Sequence, residues 1–180
     1  MIEYFKEEQF LTAKKQRNTV LRWYFAVVGI FLLASVALIL WYTTLPYNSP
    51  TIATVKWIHY PLTVLFVAFS FVYLGIPFKR VNRYYKLTLN LKTGIRETST
   101  GSFFEYSNTI QDKDGVDFKA LIFLEWNKYK NDFFERKVLV FDEEEFPEFT
   151  EGMNVRYVTQ GNVLVSYQIL DDKTEEQEGE

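Results

Sequence analysis

Two stretches of this chain carry almost no polar side chains, and the positions outside them either alternate or are charged. The first runs from Trp23 to Trp41 (WYFAVVGIFLLASVALILW), with Ser35 its most polar residue between aromatic ends. As a helix it covers roughly 27 Å, close to the ~30 Å hydrocarbon core of a bilayer. The second runs from Trp57 to Phe78 (WIHYPLTVLFVAFSFVYLGIPF) and covers roughly 31 Å at the same rise. Helices of that length in a soluble core carry a polar stripe, and neither stretch has one. The pattern predicts transmembrane helices over 23–42 and 57–78, joined by a short extracytoplasmic loop over 43–56 whose residues 43 to 55 hold two prolines and no charge.

The ends of the stretches carry amphipathic rings. Trp23 and Tyr24, then Trp41 and Tyr42, bracket the first, and Trp57 and Tyr60 open the second. Such rings favour the headgroup level, where a ring stays in lipid while its N–H or O–H reaches water. Cations set the orientation. Lys6, Lys14, Lys15, Arg17 and Arg22 precede the first stretch and Lys79, Arg80, Arg83 and Lys86 follow the second, against Lys56 alone between them. The positive-inside rule then places both termini in the cytoplasm, with a bacterial plasma membrane as the expected location. Trp23, Trp41, Trp57, Tyr60, Lys79, Arg80 and Arg83 are the expected membrane-interface residues. A cleaved signal peptide fits less well, because its apolar region is about 7–15 residues long and is followed by a small-residue cleavage site.

Residues 1–22 contain no Gly or Pro, and their acids (Glu3, Glu7, Glu8) precede most of their bases (Lys14, Lys15, Arg17). That order suits a helix dipole and predicts a cytoplasmic N-terminal helix. Its apolar residues Ile2, Tyr4, Phe5, Phe10 and Leu11 have three open roles: lying in the membrane surface, packing on a cytoplasmic domain, or extending the first span into solvent.

From residue 79 to 170 the pattern predicts a small all-β cytoplasmic domain, an antiparallel barrel or sandwich of the OB or SH3 size class. Tyr85, Leu87, Leu89 and Leu91 alternate with Lys86, Thr88 and Asn90, the period of a half-buried strand. Thr93-Gly94, Thr100-Gly101, Asp114-Gly115 and Asn131-Asp132 read as breaks. The run Phe118 to Trp126 (FKALIFLEW) is apolar on both faces and so reads as a central strand. Gly161-Asn162 between two alternating runs is a hairpin signal. Residues 171–180 (DDKTEEQEGE) have no apolar side chain and are expected to form a disordered acidic tail.

Averages hide this division. The net charge of -3 and mean hydropathy of -0.11 suggest an ordinary soluble domain, yet of the 43 charged residues only Lys56 lies between Trp23 and Phe78. Residues 79–180 hold 14 bases and 20 acids, and setting aside Lys79, Arg80, Arg83 and Lys86 leaves a net of -10. An acidic surface repels phosphate backbones, so nucleic acid is not an expected partner. Phe103, Phe104, Tyr106 and Trp126 are accordingly read as core rather than as a base-stacking platform.

Candidate chemistry is sparse. The chain has no Cys and one His, His59, without nearby carboxylates, so neither a thiol enzyme nor a zinc site is expected. Asp112-Lys113-Asp114-Gly115 lacks the regular ligand spacing of a calcium loop and reads as a turn. No enzyme activity and no cofactor are expected. Asp142, Glu143, Glu144, Glu145, Glu148 and Glu151 surround Phe146, Pro147 and Phe149. Acids with apolar anchors among them suit a basic protein partner, which nominates Phe146, Pro147, Phe149, Glu144 and Glu145 as partner-binding residues. The expected function is therefore a two-span integral membrane protein, in contact with the lipid bilayer, presenting a β domain for protein interaction or homo-oligomeric assembly. The alternative is a subunit of a small oligomeric channel or transporter, with the β domain as its assembly collar.

Overall fold

A computed structural model describes residues 1–113, 115–142 and 145–170; Asp114, Glu143, Glu144 and the predicted tail lie outside the described residues. The chain divides into two compact units, one of Met1–Thr12 with Arg83–Glu180 and the other of Ala13–Asn82.

The second unit is built from two helices, α1 (Glu7–Thr44) and α2 (Thr51–Tyr73), followed by a π-helical turn at Leu74–Phe78 that leads into α3 (Lys79–Thr93). Both helices are long and apolar enough to cross a membrane, and beyond their contact with each other the apolar stretch of each is left largely uncovered by the protein. Leu33, Val64 and Phe71 point outward, at 74%, 66% and 76% exposure. The helices run antiparallel. Phe31 stacks on Phe66 with ring centroids 4.0 Å apart, while Tyr24 stacks on Tyr73 at 5.8 Å and the Tyr73 hydroxyl donates to the Val20 carbonyl at 3.0 Å. The connection is shorter than the sequence predicts, because Pro50 caps α2 and the helix starts at Thr51. A proline fixes its own φ near the helical value and needs no N–H partner there, which makes it a good helix opener. Pro77 within the π turn removes one N–H from the ladder, and widened turns are a common response to such a loss.

The first unit is a single mixed sheet of six strands: β1 (Ile2–Glu3), β2 (Glu97–Lys113), β3 (Val116–Asn127), β4 (Asp132–Phe141), β5 (Asn154–Gln160) and β6 (Val163–Ile169). The pairings β2–β3, β3–β4, β4–β6, β6–β5 and β5–β2 return to their start, and β1 adds to the outside of β6. All are antiparallel except β4–β6, joined in parallel at Leu139 and Val163. The parallel junction corrects the purely antiparallel expectation for a topological reason. Five strands are an odd number, so alternating directions around the ring must fail once.

The sheet is buried on both faces. On one, Phe118, Ala120, Leu139, Phe141, Val163 and Val165 pack under Phe5 and Phe10 from the N-terminal segment and Leu87 and Leu91 from α3. On the other, Leu121, Phe123, Val138, Val140, Tyr157 and Leu164 meet Phe103 and Phe149. A strand covered on both sides loses its polar alternation, which is why the stretch around Phe118 to Phe123 reads as a continuous apolar run.

Three sequence expectations change. Tyr85 to Leu91 belongs to helix α3, not to a strand. Its buried residues Leu87, Thr88 and Leu91, with Tyr84 partly buried, recur at helical spacing. The first six residues are not helical: Ile2 and Glu3 pair with Tyr167 and Ser166 of β6 before α1 begins at Glu7. Gly101 does not end a strand, since β2 runs through it and changes partner there. Residues Glu97 to Ser102 pair with β5 and Ser102 onward with β3. A Cβ at Gly101 would lie 3.0 Å from the Leu124 carbonyl oxygen, so the bend takes the one residue that lets the backbones approach.

Candidate functional site

Among the described residues, the densest set of interacting ionisable side chains in the β unit lies on the sheet face that carries Leu121 and Phe123, where the apolar packing gives way. Glu97 and Ser99 of β2 sit opposite Thr159 and Tyr157 of β5 in register. Glu125 of β3 and Arg136 of β4 are diagonal neighbours on that face, two register steps apart, since Arg136 pairs with Phe123 and Glu125 with Phe134. Arg136 is the hub. Its guanidinium donates to Ser99 Oγ at 2.9 Å, to Glu125 Oε1 at 3.4 Å, to Glu97 Oε2 at 2.7 Å and to Thr159 Oγ1 at 3.4 Å, and it lies 6.0 Å from the Tyr157 ring centre. The Tyr157 hydroxyl donates to Glu125 Oε1, and its ring packs on Phe123 with centroids 4.4 Å apart.

The electrostatics follow from that wiring. Burial, reinforced by the hydrogen bond to the Glu125 carboxylate and by its charge, pushes the Tyr157 phenol far above its ordinary pKa, so it stays a proton donor. Partial burial works against the Arg136 charge, but the hydrogen bond to Glu97 and the field of Glu125 outweigh it and raise its pKa. The arrangement holds a permanent cation between two carboxylates and cross-links four strands. Tyr157 and Arg136 are both held in their protonated forms, which suits fixed hydrogen bonding rather than proton exchange.

None of these residues was singled out from sequence, although a signal existed. Leu121, Phe123 and Glu125 share one face by the period of two, so Glu125 extends a buried apolar row, and a carboxylate there calls for a cation.

The residues nominated from sequence are placed as follows. Phe149 is a core residue, 6% exposed, against Phe103, Phe123 and Tyr167. Pro147 is buried and Phe146 half-buried, its ring 5.0 Å from that of Tyr106 and beneath the Lys119 ammonium at 5.5 Å. Backbone hydrogen bonds pin the segment: the Tyr106 hydroxyl donates to Pro147 O at 2.7 Å and accepts from Phe149 N–H at 2.6 Å, and Tyr4 donates to Glu145 O at 3.3 Å. The side chains of Glu145, Glu148 and Glu151 stand exposed above it. Trp23, Trp41, Trp57 and Tyr60 project outward from α1 and α2 at 67%, 43%, 77% and 62% exposure. Lys79, Arg80 and Arg83 are exposed on α3. The four aromatics read as core divide: Phe103 is buried and Tyr106 half-buried, while Phe104 and Trp126 are exposed at 38% and 48%.

Between α1 and α2, Leu38, Ile39, Tyr42, Val55, Lys56, His59 and Tyr60 line a cleft of about 200 Å³. Comparison with known proteins returned no matching family model, no matching curated protein and no matching solved structure.

Proposed function

We propose that this chain is a non-enzymatic integral membrane protein that crosses the bilayer twice, keeps both termini in the cytoplasm and displays its β unit as a binding module. The carrying observation is the outward face of α1 and α2, where the protein leaves Leu33, Val64 and Phe71 largely uncovered. Lipid is the solvent that removes the cost of exposing them. The cations that flank the two spans support the orientation. The β unit, read as a small barrel because its pairings close on themselves, supplies a rigid platform. Its segment from Glu145 to Phe149 is held from below by Tyr106 and presents carboxylates outward, an arrangement suited to a basic protein partner or to a second copy.

Because the chain has no native Cys, single cysteines test the arrangement cleanly. Tyr47→Cys, in the interhelical loop, and Glu151→Cys, in the β unit, replace exposed residues. An impermeant maleimide applied to intact cells should label the first and not the second; the opposite pattern overturns the topology. For the binding role, cross-linking in native membranes should give a discrete partner adduct or an oligomer ladder that Glu145→Lys with Glu148→Lys abolishes. Recovery of monomer alone overturns both the binding reading and a pore-forming oligomer.

A further inference from the structure

The end of the β3–β4 hairpin differs from the rest of the β unit in burial, composition and charge. Strand β3 is buried from Ala120 to Phe123 and β4 from Val138 to Phe141, but the hairpin between them leaves the core. Its side chains are aromatic all the same. Trp126, Tyr129, Phe133 and Phe134 are 48%, 101%, 60% and 41% exposed. Trp126 and Phe133 are register partners whose rings meet edge to face at 5.0 Å, so they form one wedge.

The turn that carries Tyr129 is preorganised. Asn127 Oδ1 accepts the N–H groups of Tyr129 at 2.9 Å and Lys130 at 3.2 Å, its carbonyl accepts Asn131 N–H at 2.9 Å, and Asn131 takes the left-handed conformation at φ 54°. Four apolar rings presented to water on a rigid turn are not explained by the packing of the unit that bears them.

Charge narrows the occupant. Residues 79–180 without the four α3 bases named above have ten bases and 20 acids, yet the ten residues 128–137 hold four of those bases (Lys128, Lys130, Arg136, Lys137) and two of the acids. Arg136 is taken up by Glu97 and Glu125, so the exposed hairpin carries Lys128, Lys130 and Lys137 against Asp132 and Glu135, a cationic tip in a sequence whose remainder is acidic by 12. Lys128 and Lys130 flank Tyr129 in a four-residue loop without an acid, and both are exposed. Tryptophan, tyrosine and lysine together are the composition that partitions to headgroup level, the rings at the acyl boundary and the ammonium groups on phosphate. The span ends of this chain use the same residue types at Trp23, Tyr24, Trp57 and Tyr60.

We infer that the β3–β4 hairpin end is a lipid-docking surface, which seats Trp126, Tyr129 and Phe133 in the anionic leaflet of the bilayer that holds the chain's own helices. This rests on the membrane reading above and adds a second, reversible contact with the same bilayer. Lys128 and Lys130 supply the charge dependence, and the aromatic wedge supplies the depth.

The full chain in nanodiscs tests it. An environment-sensitive fluorophore is attached to Tyr129→Cys, at the tip, or to Leu33→Cys, within the first span, and quenched by doxyl-labelled lipid in the disc or by aqueous iodide. With phosphatidylglycerol present, the tip label should be quenched by disc lipid and shielded from iodide. Lys128→Glu with Lys130→Glu should lower the docked-to-free ratio by about 5-fold for each lysine removed, as should phosphatidylcholine discs, which lack the anionic partner. If the Leu33 label escapes lipid quenching, the membrane reading fails; if that label is quenched while the tip label stays open to iodide, only the docking inference is overturned. Tip quenching seen solely with doxyl lipid in separately added vesicles, or shielding that requires two chains per disc, also overturns it, the latter in favour of a protein contact.

Discussion

The phenolic oxygen of Tyr106 accepts the backbone N–H of Phe149 at 2.6 Å, and that hydrogen bond fixes a segment of the β4–β5 connection that forms no strand or helix of its own. The same hydroxyl donates to the Pro147 carbonyl, so one side chain satisfies two backbone groups that a buried irregular segment would otherwise leave unpaired. Tyr106→Phe should lower stability by about 1–3 kcal/mol, the cost of an orphaned backbone donor, and speed hydrogen exchange across residues 145–149. Phe149→Ala should cost more, about 3–5 kcal/mol, because it empties a site lined by Phe103, Phe123 and Tyr167. Denaturant unfolding of the detergent-solubilised protein checks both; a stable Phe149→Ala protein would return that ring to the role of a partner contact.

Arg136 should be the most sensitive member of its charged cluster. Its side chain and that of Glu125 are 14% and 12% exposed, whereas Glu97 is 67% exposed. Arg136→Met keeps the length and removes the charge, leaving Glu125 without its cation at an expected cost of about 2–4 kcal/mol. Glu97→Gln should cost less than about 1 kcal/mol, since an exposed partner is already well solvated. A double-mutant cycle between Glu125 and Arg136 should give a coupling that salt barely weakens, in contrast to the Glu97 pair.

Tyr157 sets a pH dependence on the alkaline side. Burial and Glu125 hold its phenol above the ordinary value of 10.0 in the folded chain. Above that ordinary value the unfolded chain releases a proton that the folded chain retains. The folded state then binds more protons, so this contribution to stability is complete below pH 10 and declines as pH rises beyond it. Denaturation midpoints followed from neutral to alkaline pH should fall more steeply for the native chain than for Tyr157→Phe. Parallel profiles would place the phenol in water.

Much of the β unit was legible because its apolar runs are local facts. The two-faced run near Phe118 becomes β3 at the centre of the ladder, and Gly161-Asn162 becomes the β5–β6 turn with both residues at positive φ. Closure was not legible, because it depends on a single parallel pair, Leu139 with Val163, formed between runs with no local signal for each other. The Arg136 cluster was hidden similarly: each member sits in an ordinary strand position, and only the register of four strands brings them together. Gly101 was misread because a glycine at a turn and a glycine at a strand bend leave the same mark in sequence. Gly101→Ala separates the two meanings. A Cβ 3.0 Å from the Leu124 carbonyl and 3.3 Å from the Phe123 Cβ forces the strands apart, at an expected 1–3 kcal/mol by the usual range of about that size for overpacking. Gly29→Ala, with open space around it, should leave stability unchanged or slightly raised.

The stretch from Tyr84 to Leu91 satisfies two periods at once, and one substitution distinguishes them. As a strand it would place Leu87, Leu89 and Leu91 on the buried face and Thr88 in solvent. As helix α3 it buries Leu87, Thr88 and Leu91, with Thr88 fully enclosed and its hydroxyl bonded to the carbonyls of Tyr84 and Tyr85 at 3.1 and 3.0 Å, while Leu89 is only half-buried. Thr88→Lys should therefore destabilise the β unit by more than about 3 kcal/mol, since an ammonium would enter an apolar contact with no anion to meet it. Leu89→Lys should be milder, because a half-buried position on a helix lets a long side chain carry its charge to water. Unfolding midpoints of the two variants, measured side by side, decide the matter: a tolerated Thr88→Lys beside a disruptive Leu89→Lys would restore the strand.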